Sequence, residues 1–262
     1  MSEKFPHLFT PGRIGNVKIP NRIVFLPHYT AIENDDNTIQ DAYINYFAER
    51  AKGGIGLLII DSQAVTFSAK MATKYIHAYE ERVIPGYRKM SSEAHRHGSK
   101  IFVQLSHGGH TTLTHPPQLL YAPTQMSEPC CHYNTKEMEI EDIKEVVEGF
   151  ATAAKHVKEG GFDGVDIKGA SHDGLLRSFI SPYFNRRKDE YGGSFENRMR
   201  FPLEVVHAIR EAVGPDFVFG VRVCMDEFTS WGYGSEEGKK IVRAFDETGE
   251  GGCVWDRHAE EG

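Results

Sequence analysis

Arg222 lies near the end of the apolar run Phe217-Val-Phe-Gly-Val-Arg-Val223. A guanidinium buried without an anion or an electron-rich acceptor is strongly unfavourable, so it must be paired. Two pairings fit the sequence: an internal salt bridge to Asp166 or Asp226, or a cation set against negative charge that develops on a cofactor or substrate. Gln104, near the end of Lys100-Ile-Phe-Val-Gln-Leu105, brings both a donor and an acceptor; a polar residue satisfied within the strand end fits equally well. Lys168 and His172 flank the exit of Asp163-Gly-Val-Asp-Ile167, where groups that move protons or orient substrate belong. A solvated lysine and a loop-capping histidine are the plainer alternative. His107, His110 and His115 form a histidine-rich loop, but there is no His-x-His pair on a strand and no matching carboxylate set, so a metal is not expected. Cys130 and Cys131 read as adjacent loop residues rather than a redox centre.

The elements that must position these groups alternate along the chain. Arg22-Ile-Val-Phe-Leu26 reads as a first strand and Asp41 to Lys52 as a helix closed by Gly53-Gly54. Ile55 to Ile60 is a second strand, apolar throughout, as expected when both faces of a parallel strand are covered. Glu80 to His97 is helical, Lys100 to Leu105 is the third strand, and Glu139 to Glu159 carries apolar residues at helical spacing. Asp163 to Ile167 is the fourth strand, and Glu196 to Val213 is a helix with Ser194 as N-cap. Phe217 to Val223 is the fifth strand, Ser235 caps a helix through Phe245, and Cys253-Val-Trp255 starts a sixth.

Strand and helix in alternation imply an α/β fold with a parallel sheet, open or closed into a barrel. No G-x-G-x-x-G follows the first strand and no G-x-x-x-x-G-K-[ST] occurs, so a parallel (β/α) TIM-barrel type is expected. Active sites of such barrels lie at the strand C-terminal ends. The long connections 106–136 and 169–194 fall at that end. With 30 Lys+Arg against 37 Asp+Glu the net charge is −7 and no basic block exists, which argues against nucleic acid and anionic lipid. No apolar run approaches the ~20 residues of a membrane span. Four cysteines without CxxC spacing suit a reducing cytoplasm.

The segment Ser181-Pro-Tyr-Phe-Asn-Arg-Arg-Lys-Asp-Glu-Tyr-Gly-Gly-Ser-Phe-Glu-Asn-Arg-Met-Arg-Phe201 reads by composition as a loop cross-linked by arginine forks facing carboxylates. In its order it resembles the signature of the Old Yellow Enzyme, or NADH:flavin oxidoreductase, family of FMN-binding barrels. Leu8 to Gly15 with Pro20-Asn-Arg-Ile-Val24 resembles that family's opening hairpin and first strand. Gln104-Leu-Ser-His-Gly-Gly-His110 resembles its Q-L-x-H-x-G-R turn, with His110 in place of the arginine. Gly161 to Ile167 and Gly220 to Phe228 resemble its fourth and fifth strands.

The resemblance implies non-covalent FMN and admits NAD(P)H as electron donor. It implies that Pro27, His28 and Tyr29 pass beneath the flavin, that Ser62 lies where backbone touches the ring, and that Gln104 pairs with the pyrimidine edge. Arg222 would face the edge that gains negative charge on reduction, and Lys168 and His172 would hold substrate. Ene-reductase members have a His-Gly-Tyr-Leu turn whose tyrosine donates a proton. Here the stretch is Ser171-His-Asp-Gly-Leu175, with Gly174 aligned to that tyrosine. Leu26-Pro-His-Tyr29 resembles the trimethylamine dehydrogenase and N-methyl amino acid demethylase branch. The iron–sulfur cysteines and second dinucleotide domain of that branch are not expected in this chain.

The expectation is therefore one partial FMN-binding barrel domain over 1–262, reaching about strand six of eight. It would transfer hydride between flavin and a small N-methylated amine or amino acid. The alternatives are NAD(P)H-driven reduction of an α,β-unsaturated carbonyl and a non-catalytic fragment unable to hold FMN. A second copy or a partner chain would complete the sheet.

Overall fold

The computed structural model describes residues 4–111, 119–127, 132–169 and 174–251 in full and the backbone of Cys253–Arg257. The chain opens with a hairpin of β1 (Gly12–Ile14) and β2 (Val17–Ile19), turning at Gly15 with a positive φ of 54°. β3 (Val24–Phe25), α1 (Asp41–Lys52), β4 (Leu57–Ala64), α2 (Ile84–Arg96) and β5 (Lys100–Ser106) follow. Next come two short strands, β6 (Tyr121–Ala122) and β7 (Lys136–Glu137), then α3 (Ile140–Glu159) and β8 (Gly164–Lys168). A short helix α4 (Leu175–Ile180), α5 (Phe195–Val213), β9 (Val218–Cys224), α6 (Ser235–Asp246) and β10 (Cys253–Arg257) complete the order.

The principal sheet runs β10-β9-β8-β5-β4-β3, and every pairing in it is parallel. Side chains alternate across a strand, and the two faces serve different purposes. Leu58, Ile60, Ile101, Val103, Leu105, Val165, Ile167, Phe219 and Val221 face the helices and share one core with Phe150 of α3 and Val205 and Ile209 of α5. On the opposite face Leu57, Ile59, Phe102 and Val218 meet Ile19 of the hairpin, which plugs the N-terminal end of the sheet. Fully burying a Leu, Ile or Phe side chain contributes about 1.5–3 kcal/mol, so both layers hold the strands firmly. Gly164 is needed where strands and ring crowd: a Cβ there would stand 2.6 Å from the Val218 carbonyl and 2.8 Å from the Phe102 ring.

The helices follow the sequence closely. Ile143, Val146, Phe150, Ala153, Ala154 and Val157 form the buried stripe of α3, whose start is closed by a Glu139/Asp142 capping box. Ser194 caps α5, accepting from the Asn197 N–H at 3.2 Å. Ser235, in contrast, is not a cap. It is the first residue of α6, with Gly234 at the cap position, and its N–H is taken by Asp226 Oδ2 at 3.0 Å.

One strand and one connection differ from expectation at the end that matters. β4 runs to Ala64, past its apolar portion, because the polar residues 61–63 continue the ladder with a bulge between Ile60 and Ser62. α4 lies inside a stretch read as a loop; all six of its residues are buried, including Arg177 and Ser178. No helix among the described residues is long and apolar enough to cross a membrane.

Candidate active site

Register brings the polar residues together. Ser62 lies beside Gln104, Gln104 beside Asp166 and Asp166 beside Gly220; one layer nearer the strand C-termini, Lys168 lies beside Arg222. The bulge at Asp61 puts Ser62 into this row: without the extra residue Asp61 would stand opposite Gln104. Above an apolar plug, the hairpin-facing side of the sheet thus turns polar over its last residues.

These side chains form a chain of contacts. Ser62 Oγ donates to Gln104 Oε1, and Gln104 Nε2 donates to Asp166 Oδ2 at 2.6 Å. Arg222 Nη2 lies 3.5 Å from the same oxygen. Of the two internal salt bridges open to Arg222, the structure makes the one to Asp166; Asp226 instead accepts the N–H groups of Phe228 and Ser235. Asp166 is fully buried and its Oδ1 has no donor. Burial pushes its carboxyl up to about 6, against the pull of Arg222, Gln104 and Lys168, so it is largely ionised at neutral pH.

The other expected site residues are placed as follows. Pro27, His28 and Tyr29 leave β3 at the same end of the sheet, but the His28 ring turns to α1, where Nε2 and Tyr46 Oη are 2.6 Å apart. Only backbone at His28 can therefore border the polar row. Tyr29 is 47% exposed, and burial of its hydroxyl together with the charges of Glu33 and Asp61 raises its pKa. Lys168 Nζ lies 3.8 Å from Met71 Sδ. His172, His115, Cys130 and Cys131 fall outside the described residues.

The remaining histidines of the loop after β5 are committed to packing. His110 is stacked on Phe184, with Nδ1 2.9 Å from Ser178 Oγ. His107 Nδ1 accepts the Gly109 N–H at 3.0 Å, which leaves the proton on Nε2 toward Ser68 Oγ at 3.1 Å. Burial pushes the His107 pKa down to about 3. Its folded pKa lies below the ~6.5 of an unfolded chain, so the stability this ring contributes is present at neutral pH and lost as pH falls from about 6.5 toward 3. His107→Asn is expected to flatten the acid limb of a pH–stability curve over that window, as chemical denaturation would show. Among the described residues no group of three or more His, Cys, Asp or Glu is placed to hold a metal.

Sequence reasoning missed a second construction beside the row. Arg177 of α4 pairs with Glu227, whose other oxygen accepts from Ser181 Oγ at 2.9 Å and from the Tyr233 N–H at 3.0 Å. The pair is almost fully buried and ties the connection after β8 to the one after β9. The first part of the Ser181–Phe201 segment, up to Ser194, is the expected cross-linked loop, and the rest is the start of α5. Asn185 Nδ2 donates to the Phe179 and Tyr191 carbonyls at 2.8 and 2.7 Å, and Arg187 forks onto Asp189 and the Met138 carbonyl. Arg198 joins the Ile180 carbonyl to Glu237 of α6.

Comparison with known proteins gives the same reading. A family model described as NADH:flavin oxidoreductase / NADH oxidase matches residues 7–258. An NADH oxidase of Thermoanaerobacter brockii is 39% identical over 248 residues, covering 94% of this chain and 38% of that protein. An N,N-dimethylglycine/sarcosine dehydrogenase of Chromohalobacter salexigens is 40% identical over 250 residues, covering 94% and 36%. The chain thus spans less than two-fifths of the length of these two relatives. A structure of morphinone reductase in complex with tetrahydroNAD superposes with a TM-score of 0.85 at 25% identity, over 97% of this chain and 76% of that one. The six parallel strands are accordingly part of a (β/α) barrel. By its matched length and its barrel strands, the chain belongs to the NADH:flavin oxidoreductase / NADH oxidase family.

Proposed function

We propose that the polar row holds FMN non-covalently and that the chain serves the oxidation of a small N-methylated amine or amino acid. The observation that carries this reading is Arg222. Its guanidinium is 11% exposed on the hairpin-facing side of the sheet, and Asp166 engages one nitrogen at 3.5 Å. Donors of a buried fork left over from so loose a pair fit the electron-rich pyrimidine edge of a flavin. Gln104 and Ser62 fit the same edge, although they now bond to each other and Gln104 also to Asp166; a bound flavin would compete for those contacts.

FMN, when bound, supplies the acceptor for a hydride from the substrate's N-methyl carbon. Arg222 would stabilise negative charge at the far edge, while Asp166 fixes the guanidinium in place and limits the net charge of the site. Lys168, paired in register with Arg222, would orient substrate together with His172. Pro27, the His28 backbone and Tyr29 would form the floor. We read 1–262 as one cytoplasmic barrel domain; the free thiol of Cys224 suits a reducing compartment.

The amine reading is favoured over alkene reduction by Gly174. It has φ +109°, a conformation closed to the tyrosine that ene-reductases carry there. It also agrees with the substrate named for the dimethylglycine/sarcosine relative. Anaerobic mixing of the flavin-loaded chain with sarcosine or N,N-dimethylglycine is expected to bleach the flavin absorption band. Bleaching by NADPH alone, reversed by an enone, would instead establish the reductase reading. No flavin band after excess FMN would mean a fragment unable to hold the cofactor.

A further inference from the structure

Glu33 and Asp61 are each 2% exposed. Glu33 comes from the connection after β3 and Asp61 from the bulge of β4, and their carboxyl groups lie within hydrogen-bonding reach of each other. Asp61 Oδ2 accepts both the N–H and the Oγ1–H of Thr30, at 3.3 and 3.2 Å. Asp61 Oδ1 and Glu33 Oε2 are buried without any donor. The nearby Lys74 ammonium does not neutralise the pair. It bonds to Asp35 at 2.9 Å and reaches only the backbone carbonyl of Glu33, at 3.5 Å.

Ionised carboxylates only accept hydrogen bonds, and two buried carboxyls in contact cannot both ionise. One proton between them turns two orphaned acceptors into a donor and an acceptor. We propose that Glu33 and Asp61 share one proton at neutral pH and, in that singly charged form, pin Thr30 and with it the Pro27–Tyr29 segment against β4. The pair is a positioning device for the floor of the site. That last role rests on the flavin reading above; the shared proton does not.

The groups facing the pair are consistent with a held proton. They are the Tyr29 phenol on the pinned segment, Lys74 on the connection after β4 and Tyr87 on α2, whose own ionisation Asp61 opposes. Burial, followed by the charge of Glu33, pushes the Asp61 carboxyl up to about 8, and burial also raises Glu33. A carboxyl whose folded pKa stands above its unfolded value binds a proton that the unfolded chain has released. Its contribution to stability therefore declines as pH rises from about 4 to about 8 and is level above that.

Asp61→Asn keeps an oxygen for Thr30 and offers Glu33 an N–H, so it replaces the shared proton with a permanent donor. Relative to this variant, the wild-type unfolding constant is expected to rise by up to about tenfold per pH unit between pH 5 and 7. The infrared C=O stretch of a protonated carboxyl should disappear in the variant. Parallel pH dependences together with an unchanged infrared spectrum would overturn the shared proton. Glu33→Gln provides the same two readouts if Asp61→Asn fails to fold. Both are read without added flavin, so failure of the flavin reading leaves them intact. With FMN, the wild-type dissociation constant should rise several-fold from pH 7 to 9 and that of Asp61→Asn should stay level. Identical rises in both would overturn the positioning role.

Discussion

Arg222→Met is expected to remove flavin reduction while leaving a folded but weakened chain. Two effects separate in this variant. Asp166 is fully buried, and after losing Arg222 it keeps the Gln104 amide at 2.6 Å as its nearest compensation. Breaking one side of a buried ion pair costs about 3–5 kcal/mol, here reduced because Asp166 can protonate; its carboxyl, already raised by burial, loses the cation that held it down. The second effect is chemical. Removing a donor aimed at developing charge costs about 10²–10³ in rate, and Arg222 is the charged donor of this row. Adding Asp166→Asn to Arg222→Met removes the uncompensated carboxylate and should recover most of the stability. It should recover none of the flavin reduction. Thermal unfolding and single-turnover bleaching with an N-methylated substrate measure the two separately; recovery of both by the double variant would relegate Arg222 to a structural ion pair.

Glu227→Ala is expected to be the most destabilising single change around the strand ends, by about 3–5 kcal/mol. The Glu227 side chain is fully buried, and its loss removes at once an ion-pair partner of Arg177 and the acceptor of Ser181 Oγ and the Tyr233 N–H. Glu227→Gln should cost less, because an amide oxygen still accepts from Tyr233. The damage should concentrate at one end of the barrel. Arg177 sits on α4, whose first residue, Leu175, bonds through its N–H to the His107 carbonyl at 2.9 Å, so α4 couples the connections after β5, β8 and β9. Limited proteolysis should cut Glu227→Ala first near α4 and the Phe228–Tyr233 stretch, with α3 and α5 still protected. Uniform cleavage along the chain would show that the pair supports the whole fold rather than this end of it.

Much of the molecule is written locally. The apolar stripe of α3, the Ser194 cap and the runs that became β5, β8 and β9 lie within a few residues of their expected bounds, because helix and strand periods are properties of neighbouring side chains. Arg222 and Gln104 stood out as candidate site residues for a similar reason: a polar group near the end of an apolar strand needs a partner. Asp61 through Gln63 looked like the start of a loop because three polar residues follow an apolar run. Their continuation of β4 depends on cross-strand bonding to β5, with Ser62 set beside Gln104. The same is true of α4, whose buried Arg177 finds its carboxylate fifty positions away on another connection.

The sequence by itself determined the family, the alternation of strand and helix, and the presence of a cation and an amide at the strand ends. Tertiary structure decided which groups act together. Register across three strands, shifted by one residue at the bulge, joined Ser62, Gln104 and Asp166 into a single row, and an ion pair from the next layer added Arg222. Chain packing set Glu33 against Asp61 and turned His28 away from that row toward α1. The physical reason is range. Periodicity, caps and turns depend on adjacent residues, whereas an ion pair, a shared proton or an inward-facing layer depends on hydrogen bonds and burial between segments distant in the chain.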